Sequence, residues 1–311
     1  MTGYIVRRLL QGVIVMFGVT TLIFVMSRLS GDPVALIAGS SATSEDVERM
    51  RHQFGLDQPL PVQYVTFLSL AAHGDLGDSL RFRQPALGLV LESLPATLEL
   101  AVAALIITVA VAFPLGIIAA MHRDTWMDRL VSTFALAGFT IPPFWLGILL
   151  ILVFPLGLKV LYTSGIGGWE HLVLPATALA LTFAARLTRV IRGSMIEVLG
   201  ADYVRTARAK GAPERLVLTR HAFRNVLLSV ATLLGLQVAL MLGGAVLIES
   251  VFAWPGIGHI AVQAITQRDY PVIQAVTLVT ATIVVLTTLV VDLSYALIDP
   301  RVRYGGGGRP A

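Results

Sequence analysis

Cysteine is missing from all 311 residues, which excludes disulfides, thiolate nucleophiles and cysteine-based metal sites. Charge is scarce: Asp, Glu, Lys and Arg make up 14% of the chain, against about a quarter in an ordinary soluble domain. Lysine occurs only as Lys159, followed by Val160, and Lys210, followed by Gly211. Neither fits the Gly-Lys-Ser/Thr end of a phosphate-binding loop, so nucleotide hydrolysis has no seat here. There is no His-Glu-x-x-His, no Gly-x-Ser-x-Gly, and none of the six histidines stands at metal-ligand spacing. The sequence therefore offers no catalytic residue, no metal site and no resident cofactor, and it reads as something other than an enzyme.

What is present is apolar. The chain is 56% hydrophobic, with a mean hydropathy of +0.79, and could not cover its own surface with polar groups in water. A helix crossing a ~30 Å hydrocarbon core needs about 20 mostly apolar residues. Six stretches qualify: residues 9–29, 94–121, 130–156, 172–191, 226–248 and 272–298. They are too long for barrel strands and lack period-two alternation, so the expected fold is all-α, a polytopic membrane bundle of about six helices. Arg7 and Arg8 precede the first run as in a signal peptide, but no small-x-small cleavage site follows, and a retained span is expected. Ile141-Pro142-Pro143-Phe144 interrupts the third run, while Pro114 and Pro175 lie in the second and fourth; each should bend its helix, for packing or for gating.

Basic residues set the orientation. With the N-terminus inside, sixteen of the 23 Lys and Arg fall on the inner side, nine of them between Arg186 and Arg224. Both termini are then cytoplasmic in a bacterial plasma membrane, and the pI near 9.7 reflects topology and not nucleic acid. Four parts follow: a first span (1–29), an extracytoplasmic domain (30–93), a permease core (94–298) and a glycine-rich tail (299–311). The outer segment carries four Arg against eight acids. Thr43 should cap a helix there, Gly55–Pro61 should break it, and a second helix should cover 62–72.

The inner segment 200–225 contains Asp202-Tyr203-Val204-Arg205-Thr206-Ala207-Arg208-Ala209-Lys210-Gly211. Asp202 should cap a helix ending at Ala209, Gly211 should stop it, and Pro213 should open the next. Arg205-Thr206-Ala207-x-x-x-Gly211 resembles the EAA loop of ABC importer permeases, with Arg and Thr in place of its first two letters. The full ten residues are closer to the dipeptide, oligopeptide and nickel branch. Where the general motif continues Ile-x-Leu-Pro, this chain has His221-Ala222-Phe223-Arg224. Further segments resemble the same branch: Gly31-Asp32-Pro33, Gly74–Ser79, Leu94–Leu100, Glu249–Gly258, Arg268–Pro271 and Asp299–Arg303.

The resemblance implies a permease subunit, the first of a pair, that forms half of a dipeptide or oligopeptide pathway. Nickel, glutathione and haem are related cargoes. It further implies a second homologous permease, two ATP-binding subunits that hold ATP and Mg, an extracytoplasmic binding protein and no nucleic acid. Asp202, Tyr203, Arg205, Thr206, Ala207, Arg208, Lys210, Gly211, Arg220 and His221 would form the loop that couples to the ATPase. Glu249, Phe252, Trp254, Pro255, Gly256 and Gly258 would form an outer gate or binding-protein contact, or else an interfacial aromatic anchor. Arg186, Arg189 and Arg192 read by default as snorkelling side chains, with Asp292 as one candidate partner. An ion-driven secondary carrier is the reading from another class, but such carriers place acids at mid-membrane and show repeats, and neither is visible.

The absence of cysteine makes topology testable. In intact cells an impermeant thiol reagent should label Asp46→Cys and spare Lys210→Cys; the opposite pattern would overturn the orientation.

Overall fold

The structure is a computed structural model that describes residues 2–29, 43–53, 56–213, 216–217 and 223–298. Gly31-Asp32-Pro33, Arg220, His221 and the segment from Asp299 lie outside the described residues. The described residues divide into two compact units, one built on Ala96–Pro255 with the part of the last helix from Leu286, the other on Thr2–Pro95 with Gly256–Val285.

Among the described residues the elements are helical throughout, apart from an isolated Asp78–Pro85 bridge. They run α1 (Thr2–Leu29), α2 (Ser44–Gln53), α3 (Leu60–Ala72), α4 (Ala86–Met121), α5 (Trp126–Thr140), α6 (Pro143–Ile151), α7 (Trp169–Gly200), α8 (Asp202–Ala209), α9 (Phe223–Val251), α10 (Ile257–Gln267) and α11 (Tyr270–Ile298). Helices α1, α4, α7, α9 and α11 each contain a stretch long and apolar enough to cross a bilayer, and α5 with the following helical segment makes a sixth, bent by 101°. The number of spans agrees with the sequence reading. The ends differ: α4 and α7 extend well beyond the apolar runs, because polar flanking residues continue a helix wherever nothing breaks it.

The bend has a local cause. A proline disfavours the helical region for the residue before it. Two in succession therefore hold Ile141 at φ −76°, ψ 124° and Pro142 at φ −62°, ψ 135°, both extended. Pro143 then opens α6, at a position where its missing N–H would have had no partner anyway. A π-helical turn, Leu152–Leu158, contains Pro155 and ends at Lys159 in the left-handed region (φ 56°).

In the first unit, α7 lies deepest. Ala176, Ala178, Ala180, Ala184 and Ala185 are buried on it, and such small side chains let helix backbones approach closely where no hydrophobic force acts between helices in lipid. One core joins Leu100 and Ala104 of α4 with Leu179 and Phe183 of α7 and Met241 and Ile248 of α9. A second joins Ala112 and Ala120 with Leu187, Ile191, Val226 and Val230. Gly116 of α4 sits against α7, where an added Cβ would stand 2.7 Å from Ile191 Cγ2 and 3.0 Å from the Thr188 carbonyl oxygen.

In the second unit, Leu76, Ala86 and Val90 pack with Ile257, Ala264, Val272 and Ala275. Buried Asp269, just past the end of α10, ties down the turn after residue 78. Ser79 Oγ donates to Asp269 Oδ2 at 2.6 Å, and the backbone N–H groups of Leu80 and Arg81 reach the same carboxylate at 3.3 and 3.4 Å. Helix α2 begins directly after Thr43, and α3 begins at Leu60, two residues before the expected start.

The contrast between two glycines tests the packing. Gly116→Ala should lower thermal stability by about 1–3 kcal/mol through overpacking. Gly193→Ala, on α7 with nothing within 4 Å of the new Cβ, should raise it by a few tenths to about 1 kcal/mol by favouring the helix. Thermal midpoints of the purified chain in detergent read both signs.

Candidate functional site

The loop that follows α7 is organised by one buried side chain. After the extended Ala201 (φ −72°, ψ 148°), α8 runs through eight residues, and within it only Val204 is buried, at 0% exposure. Asp202, Tyr203, Arg205, Thr206, Arg208 and Lys210 are exposed, and Ala207 is half-buried on the same stripe as Val204. The capping expectation needs correction: Ala201 is the N-cap, and Asp202 is the first helical residue. There its carboxylate still favours the helix dipole, and it meets Arg205 at 3.7 Å with both side chains exposed, a contact worth little.

The helix ends as its sequence requires. Gly211 adopts φ 79°, the left-handed region that glycine enters without a Cβ penalty. Its N–H donates to the Arg208 carbonyl at 2.9 Å, and the Ala212 N–H to the Ala207 carbonyl at 3.2 Å. This pair of bonds is a Schellman cap. The Pro213 carbonyl then accepts from Leu216 and Val217 at 2.8 and 3.1 Å, beginning a new turn. The result is a short helix held by one valine, with a mainly basic exposed face and a sharply defined end.

Above it, on α7, the arginine series divides. Arg192 makes two hydrogen bonds to Asp128 on α5, Nε to Oδ1 at 2.5 Å and Nη2 to Oδ2 at 2.7 Å. Asp128 is 3% exposed and also accepts from the Asp124 N–H at 3.0 Å and from Ser132 Oγ at 3.3 Å. The acid that the sequence offered these arginines was Asp292; the one that Arg192 meets is Asp128, whose signal in sequence is an acid in the first turn of an otherwise apolar helix. Arg186 and Arg189 instead lie over the Phe139 ring, 4.8 and 5.5 Å from its centroid, a cation–π arrangement. The side chain of Asp292 lies outside those described.

The residues nominated for an outer contact separate into two groups. Glu249, Phe252 and Trp254 are buried, at 0%, 1% and 1% exposure, and pin the end of α9 to α4. Thr97 Oγ1 donates to Glu249 Oε1 at 2.7 Å, and the Trp254 indole N–H donates to the Ala96 carbonyl at 2.8 Å. The Trp254 backbone N–H returns to the Glu249 carbonyl at 2.8 Å. Phe252 lies against Gly147, where a Cβ would come 3.0 Å from its ring, and its carbonyl accepts from Gly165 at 3.1 Å. Pro255 is exposed, Gly256 is the N-cap of α10, and Gly258 is buried in the second unit. As side chains, then, Glu249, Phe252 and Trp254 are internal fasteners, and a surface at this place consists of Ala253 and Pro255.

Comparison with known proteins agrees with this architecture. Residues 112–304 match the family of binding-protein-dependent transport system inner membrane components, and residues 1–112 match the family's N-terminal component. A glutathione transport system permease protein, GsiC, of Escherichia coli (strain CFT073) is 42% identical over 98% of this chain and its own full length. A protein of Brucella abortus (strain 2308) named as a putative peptide transport system permease protein is 43% identical over the same share of this chain and all of its own. Among solved structures, an inward-facing form of the MetNI methionine ABC transporter aligns with a TM-score of 0.60, at 16% identity, over 68% of this chain and 96% of its own, a likeness of fold. Together with the two family matches, which between them run from residue 1 to residue 304, these findings make the chain a member of the binding-protein-dependent inner-membrane component family, an ABC importer permease subunit of the peptide, glutathione and nickel group.

Proposed function

We propose that this permease imports small peptides, with α8 as the element that couples it to an ATPase. The observation that carries the coupling role is the exposed face of α8 with its left-handed stop at Gly211. A short helix presenting Tyr203, Arg205, Arg208 and Lys210 can seat in an acidic cleft, and Gly211 lets the chain turn away without a side chain in the contact. ATP and Mg belong to two partner subunits, one under each coupling helix of a pair of homologous permeases. An extracytoplasmic binding protein delivers the cargo, and both termini of this chain face the cytoplasm, as the Lys and Arg distribution suggests.

The peptide cargo is supported by the Brucella relative. The Escherichia coli relative favours glutathione, itself a tripeptide with one unusual linkage, so the two readings share a ligand chemistry: a short chain with a free carboxylate at one end and an amine at the other. Uptake measured in competition between a dipeptide and glutathione separates them.

Two outcomes test the proposal. In vesicles holding all partners, uptake should require ATP and survive collapse of the proton gradient. Uptake by this chain alone that a protonophore abolishes would identify a secondary carrier instead. Gly211→Trp should leave the assembly intact and its ATPase active while uptake falls about tenfold or more, the scale of an ordinary coupling free energy. Normal uptake by that variant would remove α8 from the coupling role.

A further inference from the structure

Helix α3 lies in the segment read from sequence as part of a water-facing outer domain, and its composition does not suit water. Its thirteen residues include no charged side chain, and none of them is buried. Leu60, Val62, Val65 and Leu70 are 61%, 48%, 65% and 45% exposed. A surface helix in water presents a polar face, whereas an apolar helix is covered by protein or by lipid. The inward side is apolar as well, carrying Tyr64 and Phe67.

That inward side rests on α1. Tyr64 packs against Phe17 and Phe24, with ring centroids 6.4 and 5.1 Å apart, and Phe67 packs against Phe24 at 5.6 Å. The Tyr64 hydroxyl meets Thr21 Oγ1 at 2.5 Å. These partners are not beyond the span. The apolar window of α1 runs Val6–Met26, so at 1.5 Å per residue Thr21 and Phe17 lie about 8 and 14 Å inside its end. Half of a ~30 Å hydrocarbon core is about 15 Å. Tyr64 therefore meets α1 within one leaflet.

We propose that α3 is an interfacial membrane helix whose exposed apolar face is covered by the acyl chains of the leaflet at the C-terminal end of α1. Helix α1, on which α3 rests, is itself apolar and exposed away from that contact, with Ile14 at 68% and Leu22 at 59% exposure. Thirteen residues span about 20 Å, too short to cross. Polar sequence flanks both ends: Asp57 and Gln58 before the helix, His73 and Asp75 after it. Gln63 Nε2 closes the entry turn through the Leu56 and Gln58 carbonyls at 3.1 and 2.6 Å, so the turn that leads from the polar flank into the helix is held by its own chain. An element with wet ends and a dry body lies along the interface.

The test uses spin labels at single cysteines in the assembled transporter, in vesicles of phosphatidylethanolamine and phosphatidylglycerol. Val65→Cys is compared with Leu22→Cys on α1, exposed and in the same leaflet, and with Glu48→Cys on α2, and collision rates with oxygen and with a water-soluble nickel chelate are measured. The oxygen-to-nickel ratio at 65 should approach that at 22 and exceed that at 48 several-fold; Leu70→Cys should repeat the result. Nickel collisions at 65 as frequent as at 48 would place α3 in water and overturn the proposal. Low rates with both reagents would show a protein partner on this face, and would overturn it equally.

Discussion

Within a bilayer, no backbone N–H or carbonyl can be left to the solvent, and the breaks in this chain's helices are where that constraint acts. At the α5–α6 bend, the two prolines have no N–H to satisfy, and the bonds that remain, Ile141 N–H to Ala137 and Leu146 N–H to Pro142, close the two helix ends at 3.1 Å each. At the end of α9, the Trp254 backbone turns back onto Glu249 while its indole spends its one donor on α4. At the end of α10, Asp269 collects two backbone N–H groups and a hydroxyl from a turn nearly two hundred residues earlier. Each interruption carries its own polar closure.

The same logic explains the charges that remain. A carboxylate buried without a partner is strongly unfavourable, and breaking a buried pair by removing one member costs about 3–5 kcal/mol. Asp128 is therefore saturated by Arg192, Ser132 and the Asp124 N–H, and it fixes α5 against α7 in one register. Arg186 and Arg189, which lie over an aromatic ring, and Arg205, in a loose exposed pair, constrain far less. Three arginines at identical spacing thus perform two unlike tasks, decided by which neighbour the fold brings near.

That contrast marks the limit of what the sequence discloses. Span number, the break at Pro142–Pro143, the extent of α8 and the left-handed glycine were legible because each depends on a few consecutive residues: apolar length, paired prolines, a glycine after a short helix. The motif segments were visible too, but as separate strings. Gly74–Ser79 and Arg268–Pro271 meet as Ser79 and Asp269, and Leu94–Leu100 and Glu249–Gly258 meet as Thr97, Ala96, Glu249 and Trp254. Those unions depend on tertiary packing, which no local pattern encodes. For the same reason Glu249, Phe252 and Trp254 read as surface features: an acid and two aromatics near a span end resemble an interface anchor until a partner helix covers them.

The single anchor of α8 separates two properties that are usually entangled. Because Val204 is the one buried residue of this helix, changes on its outward face leave the packed core untouched. With α8 in the coupling role proposed above, a lineage that duplicates its transporters can thus rewrite which motor each permease accepts by changing a handful of solvent-facing letters, and keep sister systems from borrowing one another's engines while the membrane core stays as it was.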